Sequence, residues 1–164
     1  MAYVTSLEEV LWGITLVAIT MAMHGCGMIL TLVASKLLDR ANDAAPSFSR
    51  GVGVLILASW MIVLVHLVEV MLWAAFFLWQ DAMPNTSTAY FFALMQYTAV
   101  GSGFNLPQRW RLLEGMLPIA GLMTFAWSTG VLFTLAQDFQ SQQLALIHAR
   151  RQARQAKRRP RQDQ

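Results

Sequence analysis

The sequence predicts an all-α membrane protein, with three transmembrane helices and a short re-entrant helix and loop between the second and third. Hydrophobic residues fill 56% of the 164 positions against 13% charged. That balance leaves too little polar surface for a soluble domain of this size and makes the bilayer the natural solvent. The apolar residues also gather into three runs long enough to cross about 30 Å of hydrocarbon and one that is too short. Polar, proline-containing stretches separate the second run from the short one and the short one from the last.

The first run, about 11–38, is apolar apart from threonines and His24 and ends among Lys36 and Arg40. It lacks a basic leader, follows Glu8 and Glu9, and exceeds the core of a signal peptide, so it is read as a retained helix. The stretch 39–50, rich in Asn, Asp, Ser and Pro, is read as a loop. The second run, 51–79, carries Trp73 and Trp79 towards its far end, where aromatic rings suit the headgroup boundary. Asp81, Pro84 and Asn85 stop it.

The short piece, 88–100, has the length of a re-entrant or interfacial segment. Asn85, Thr86 or Ser87 is expected to cap its start and Gly101 and Gly103 to end it. A polar return, 105–111, contains Pro107. The last spanning run, 112–136, leads into a polar helical extension that frays into a basic end at 164.

Charge sets the orientation. The net charge of +3 conceals seven cationic residues from Arg150 to Arg161. With Lys36, Arg40 and Arg50 they place the first loop and the C-terminus in the cytoplasm, and the N-terminus outside. Arg109 and Arg111 vote the other way and are outnumbered. The basic tail is read as a contact for anionic lipid rather than nucleic acid, and the protein as integral to a plasma or inner membrane. Cys26, the single cysteine, excludes an intrachain disulfide. No nucleophile with its base and no phosphate-binding glycine loop points to an enzyme.

Non-helical backbone at membrane depth is tolerated only where protein buries it or where it lines a water-filled cavity. The short helix is followed by Tyr97-Thr98-Ala99-Val100-Gly101-Ser102-Gly103-Phe104-Asn105. This resembles the pore loop and selectivity filter of the tetrameric potassium-channel superfamily, whose pattern is Thr-Val-Gly-Tyr-Gly followed by Asp. The likeness spans about 51–136. It places Thr98 before the filter, Ala99 on its first Thr, Val100 on Val, Gly101 on the first Gly, Ser102 on Tyr, Gly103 on the second Gly and Phe104 on Asp. Alternating glycines suit a strand whose carbonyls all face one axis, since that requires left-handed backbone.

The resemblance implies a homotetramer around a central pore, with a pore domain over 51–137; the sequence adds a first helix and cytoplasmic loop over 1–50 and a basic tail over 138–164. The resemblance also implies a channel for monovalent cations, potassium or sodium, with no resident cofactor. Three departures matter: Ala99 lacks a hydroxyl, Ser102 lacks the aromatic wedge and Phe104 lacks the outer carboxylate, which leaves open poor potassium selectivity, permeation of another cation, or a filter that conducts only in a special state. Gly121 and Gly130 can act as hinges of the last helix or as close-packing positions, with Ser128 and Thr129 as polar facets.

Ionisable residues at membrane depth also bear on function. His24 lies 13 residues from Leu11 and His66 lies 13 residues from Trp79, which on antiparallel helices puts both about 20 Å from the outer ends. Glu69 shares a face with His66. The trio, with Cys26 as a candidate further donor, reads as a divalent-metal site, a protonation-sensitive gate, part of an ion pathway, or a hydrogen-bonded pair holding two helices. Gly25, Cys26 and Gly27 read as close-packing residues. A non-conducting sensor or scaffold that binds metal or a proton at this cluster is the alternative to the channel.

Overall fold

The computed structural model describes residues 5–41 and 48–158, and every regular element among them is helical. Helix α1 is Leu7–Ala41, α2 is Phe48–Trp79, α3 is Thr86–Tyr97 and α4 is Leu113–Arg158, with one 3₁₀ turn at Gln108–Trp110. Three of these helices, α1, α2 and α4, are long and apolar enough to cross a membrane. The expected loop at 39–50 is narrower than predicted, because α1 continues to Ala41 and α2 begins at Phe48; the remainder, 42–47, lies outside the described residues, as does 159–164 of the tail.

Local chemistry sets the helix ends. Ser6 Oγ accepts the Glu9 amide at 3.1 Å, and Glu8 and Glu9 place negative charge in the first turn of α1. At the end of α2 the Ala82 amide reaches Phe77 O at 2.8 Å and Asp81 reaches Leu78 O at 3.1 Å. That is the Schellman pattern, with Asp81 in the left-handed position at φ 51°. Asn85 Oδ1 then caps α3 by accepting from Thr88 N at 2.9 Å.

The buried positions of α1 are Glu9, Gly13, Leu16, Thr20, His24, Met28, Thr31 and Ser35, spaced three or four apart, while Leu11, Ile14, Ile29, Leu30 and Leu37 point outward. This reverses the amphipathicity of a soluble helix and fits a surrounding solvent of lipid. The inward hydroxyls are satisfied by the preceding turn: Thr20 on Leu16 O at 2.8 Å, Thr31 on Gly27 O at 2.9 Å and Ser35 on Thr31 O at 2.8 Å. The α4 stripe runs Leu113, Leu117, Ala120, Gly121, Thr124, Ser128, Val131 and Leu135.

Two apolar clusters result. One gathers Trp73, Phe77, Phe92, Trp110, Leu113 and Leu117 around the end of α2 and the start of α4. The other gathers Met28, Ala58, Ile62, Val131 and Leu135 further along the same helices. The buried polar residues of α2 and α4 fall between them, as do Thr20 and His24 of α1, while Glu9, Thr31 and Ser35 lie beyond. Trp73 belongs to the first cluster: it is fully buried and donates Nε1 to Thr20 Oγ1 at 3.0 Å. The expectation of a headgroup anchor is corrected there. Trp79 is exposed and meets Trp12 edge-on at 5.4 Å.

Glycines permit the close crossings. A methyl at Gly27 would meet Val65, and one at Gly25 would meet the Trp127 ring at 3.2 Å. Cys26 between them is exposed, so it is not a packing residue.

Candidate functional site

Helix α3 delivers the chain to an unusual place. Its last residue, Tyr97, lies with its carbonyl oxygen against Gly121, where an added methyl would collide with it. Gly121 is eight residues into α4, about 12 Å along its axis. From that depth residues 98–107 climb back to the start of α4 without regular structure. A Schellman pattern makes the turn: Ala99 N reaches Gln96 O at 2.9 Å and Val100 N reaches Met95 O at 3.0 Å. Ala99 takes the left-handed position, φ 58°, that glycine usually fills. The helix therefore ends before Gly101 and Gly103, which were expected to end it.

Those glycines continue the alternation. Positive φ recurs at Gly101, 83°, and Gly103, 71°, and not at Val100 or Ser102. Methyl groups built on either glycine meet nothing within 4 Å. Backbone conformation and not space is what requires glycine here. Residues 98–101 and 103–105 are exposed, Val100 to 70%. Thr98 Oγ1 is turned back onto Leu94 O at 3.0 Å. Ser102 Oγ lies 3.3 Å from Phe104 N and so folds onto the loop's own backbone. Phe104 packs edge-on against Phe91 at 6.3 Å. The return is tied down by Glu114, which accepts the Leu106 amide at 2.5 Å, and by Glu9, which accepts the Leu112 amide. Arg109 pairs with Glu8 at 2.7 Å.

Behind the loop lies a buried polar cluster drawn from four helices. His24 and His66 do sit at one level, their rings 5.1 Å apart. His24 Nδ1 meets Glu69 Oε1 at 2.9 Å, and Tyr97 donates to Glu69 Oε2 at 2.5 Å. His66 Nδ1 meets the Tyr97 hydroxyl at 2.8 Å. Both Nε2 atoms converge on Ser128 Oγ, His66 at 3.0 Å and His24 at 3.2 Å. Thr124 Oγ1 reaches the Tyr97 hydroxyl at 2.6 Å. No buried side-chain nitrogen or oxygen among the described residues lacks a partner.

The protons of the cluster are assigned here from the pattern of its partners. Tyr97 spends its hydrogen on Glu69, so His66 Nδ1 must donate to Tyr97, and His24 Nδ1 must donate to the carboxylate. Ser128 has one hydrogen, and with it on one of the two Nε2 atoms rather than on the weaker acceptor Met28 Sδ at 3.9 Å, the other imidazole donates to Ser128. The two rings then carry one proton more than two neutral imidazoles, which balances the Glu69 charge. Moving that proton onto Glu69 leaves the total unchanged. A neutral, fully bonded cluster is the form that low dielectric favours.

The sequence brought together His24, His66 and Glu69 but not Tyr97, Thr124 or Ser128. Hydroxyl residues are ordinary at membrane depth; the signal for Thr124 and Ser128 was their four-residue spacing on the face that includes Gly121. Ser128 lies in the cluster and not on an exposed facet, whereas Thr129 is exposed. Gly121 is a close-packing site; Gly130 is exposed and α4 passes through both as continuous helix. Cys26 is exposed, outside the cluster.

Comparison with protein-family models, curated proteins and solved structures returned no match. The functional reading therefore rests on these residues and their geometry.

Proposed function

We propose that the chain is one subunit of a pore-loop cation channel, four copies of which place residues 98–103 around a common axis and pass monovalent cations. The observation that carries this is the left-handed backbone at Ala99, Gly101 and Gly103 in an exposed segment that starts two turns down α4. Backbone at that depth is tolerated against water or protein, not lipid. Alternating φ is also what turns successive carbonyls towards one line, where they replace an ion's hydration shell. One chain supplies one such strand, and a ring of ligands needs several.

The side chains support weak selectivity. Thr98 and Ser102 direct their hydroxyls to local backbone, and Phe104 packs on Phe91, so the backbone carbonyls are the oxygens left to face an ion. Potassium and sodium then differ by about tenfold or less in permeability, roughly 1.4 kcal/mol.

Purified protein in liposomes tests this with potassium and sodium flux under an imposed gradient. The expected result is flux in wild type that is lost in Gly101→Ala and Gly103→Ala, since Cβ opposes the left-handed backbone. Flux no greater than in protein-free liposomes, from folded wild-type protein, overturns the proposal.

A further inference from the structure

We propose that the His24–His66–Glu69–Tyr97 cluster is a binding site for a divalent transition ion of the zinc class. Its donors are His24 Nδ1, His66 Nδ1, a Glu69 carboxylate oxygen and the Tyr97 phenol oxygen. The nitrogens of His24 and His66 and the Glu69 oxygen lie within 4.8 Å of one another. Tyr97 oxygen is 2.8 Å from His66 Nδ1 and 2.5 Å from Glu69 Oε2. A tetrahedral ion with bonds of about 2.0 Å holds its ligands about 3.3 Å apart. The hydrogen-bonded pairs, at 2.5–2.9 Å, must part by less than about an ångström to admit the ion, while any pair near the 4.8 Å limit must close by about 1.5 Å.

The outer contacts suit the same occupancy. Both Nδ1 atoms face Glu69 and both Nε2 atoms face Ser128 Oγ. With metal on Nδ1, each imidazole is neutral and carries its hydrogen on Nε2, and Ser128 accepts from both. A fixed partner for the distal ring nitrogen is what metal-bound histidines require. The balance closes: the shared proton of the cluster and the Tyr97 hydroxyl proton leave, and the divalent charge is offset by Glu69 carboxylate and Tyr97 phenolate. Two nitrogens and two oxygens in a tight four-coordinate set suit zinc or cobalt and are unsuited to calcium or magnesium, which take more oxygens. His66, with 11% of its side chain accessible, is the most accessible of the four donors. Because Tyr97 ends α3, an occupied site would join α1, α2 and α3 through its ligands, and α4 through Ser128, at the base of the loop. That consequence for conduction rests on the channel proposal; binding does not.

The test is a cobalt titration of untagged, detergent-purified protein, read by visible absorption and by proton release in weak buffer. We expect one cobalt per chain with a band of tetrahedral intensity, displaced by zinc and not by magnesium or calcium, and two protons released per ion. His24→Gln and His66→Gln should each weaken binding at least tenfold, and Ser128→Ala by about 10- to 100-fold. His148→Gln, at an exposed position of α4, should leave it unchanged. No cobalt band in folded wild-type protein overturns the site whatever the variants do. So does unchanged affinity in both histidine variants. Release of one proton per ion overturns Tyr97 as a ligand.

Discussion

At the scale of single residues, Ala99 is the position where the loop's chemistry is most sharply constrained. Its φ of 58° closes the Schellman turn after α3, and a non-glycine residue there costs about 1–2 kcal/mol. Ala99→Gly should therefore stabilise the protein by up to about 1 kcal/mol, allowing for glycine's greater freedom when unfolded. Ala99→Thr, the change towards the potassium-channel pattern, should destabilise, because a β-branched side chain fits left-handed backbone worse than alanine. Thermal unfolding in detergent ranks the three; Ala99→Thr at or above wild type would refute this reading of the turn. The residue scale is also where the sequence was least legible. Counting along antiparallel helices brings His24 to His66, because charge at membrane depth is rare enough to notice. Nothing in Tyr97, Thr124 or Ser128 distinguishes them from ordinary residues until α3 is docked against Gly121.

Elements were easier to read than the contacts between them. Lengths of apolar runs depend on bilayer thickness, and α1, α2 and α4 contain the runs expected. Ends depend on particular hydrogen bonds: Asp81 stops α2 as expected, while α3 stops at Tyr97 instead of at the glycines. The decisive crossing, α3 on α4, depends on a missing side chain. A methyl at Gly121 would run into the Tyr97 carbonyl, which as backbone cannot swing aside. Gly121→Ala should cost about 1–3 kcal/mol by overpacking, despite the better helix propensity of alanine. Gly130→Ala, whose methyl meets nothing within 4 Å, should be neutral or stabilise by up to about 1 kcal/mol. Equal effects of the two substitutions on the unfolding temperature would show that α3 is not held where the crossing places it.

For the whole molecule, the distribution of charge predicts which way round it sits. Glu8 and Arg109 are joined at 2.7 Å, so the start of α1 and the start of α4 share one side of the bundle. Glu9 binding the Leu112 amide makes the same connection. Arg109, which by sequence argued for a cytoplasmic location of its loop, is here paired with an acid. At the other end of the bundle lie Lys36 near the end of α1 and Arg50 near the start of α2. Positive charge near helix ends is retained in the cytoplasm as a rule, so with three crossings the expected arrangement has residue 6 outside and residue 155 inside. Intact cells treated with a membrane-impermeant thiol reagent can tell the two arrangements apart. In a Cys26→Ser background, Ser6→Cys should be labelled from outside, and Gln155→Cys only after the membrane is opened. The reverse pattern would invert the topology and turn the mouth of the loop towards the cytoplasm. Labelling of both in intact cells would mean that the chain inserts both ways round, and that the charge difference between the two sides is too small to decide.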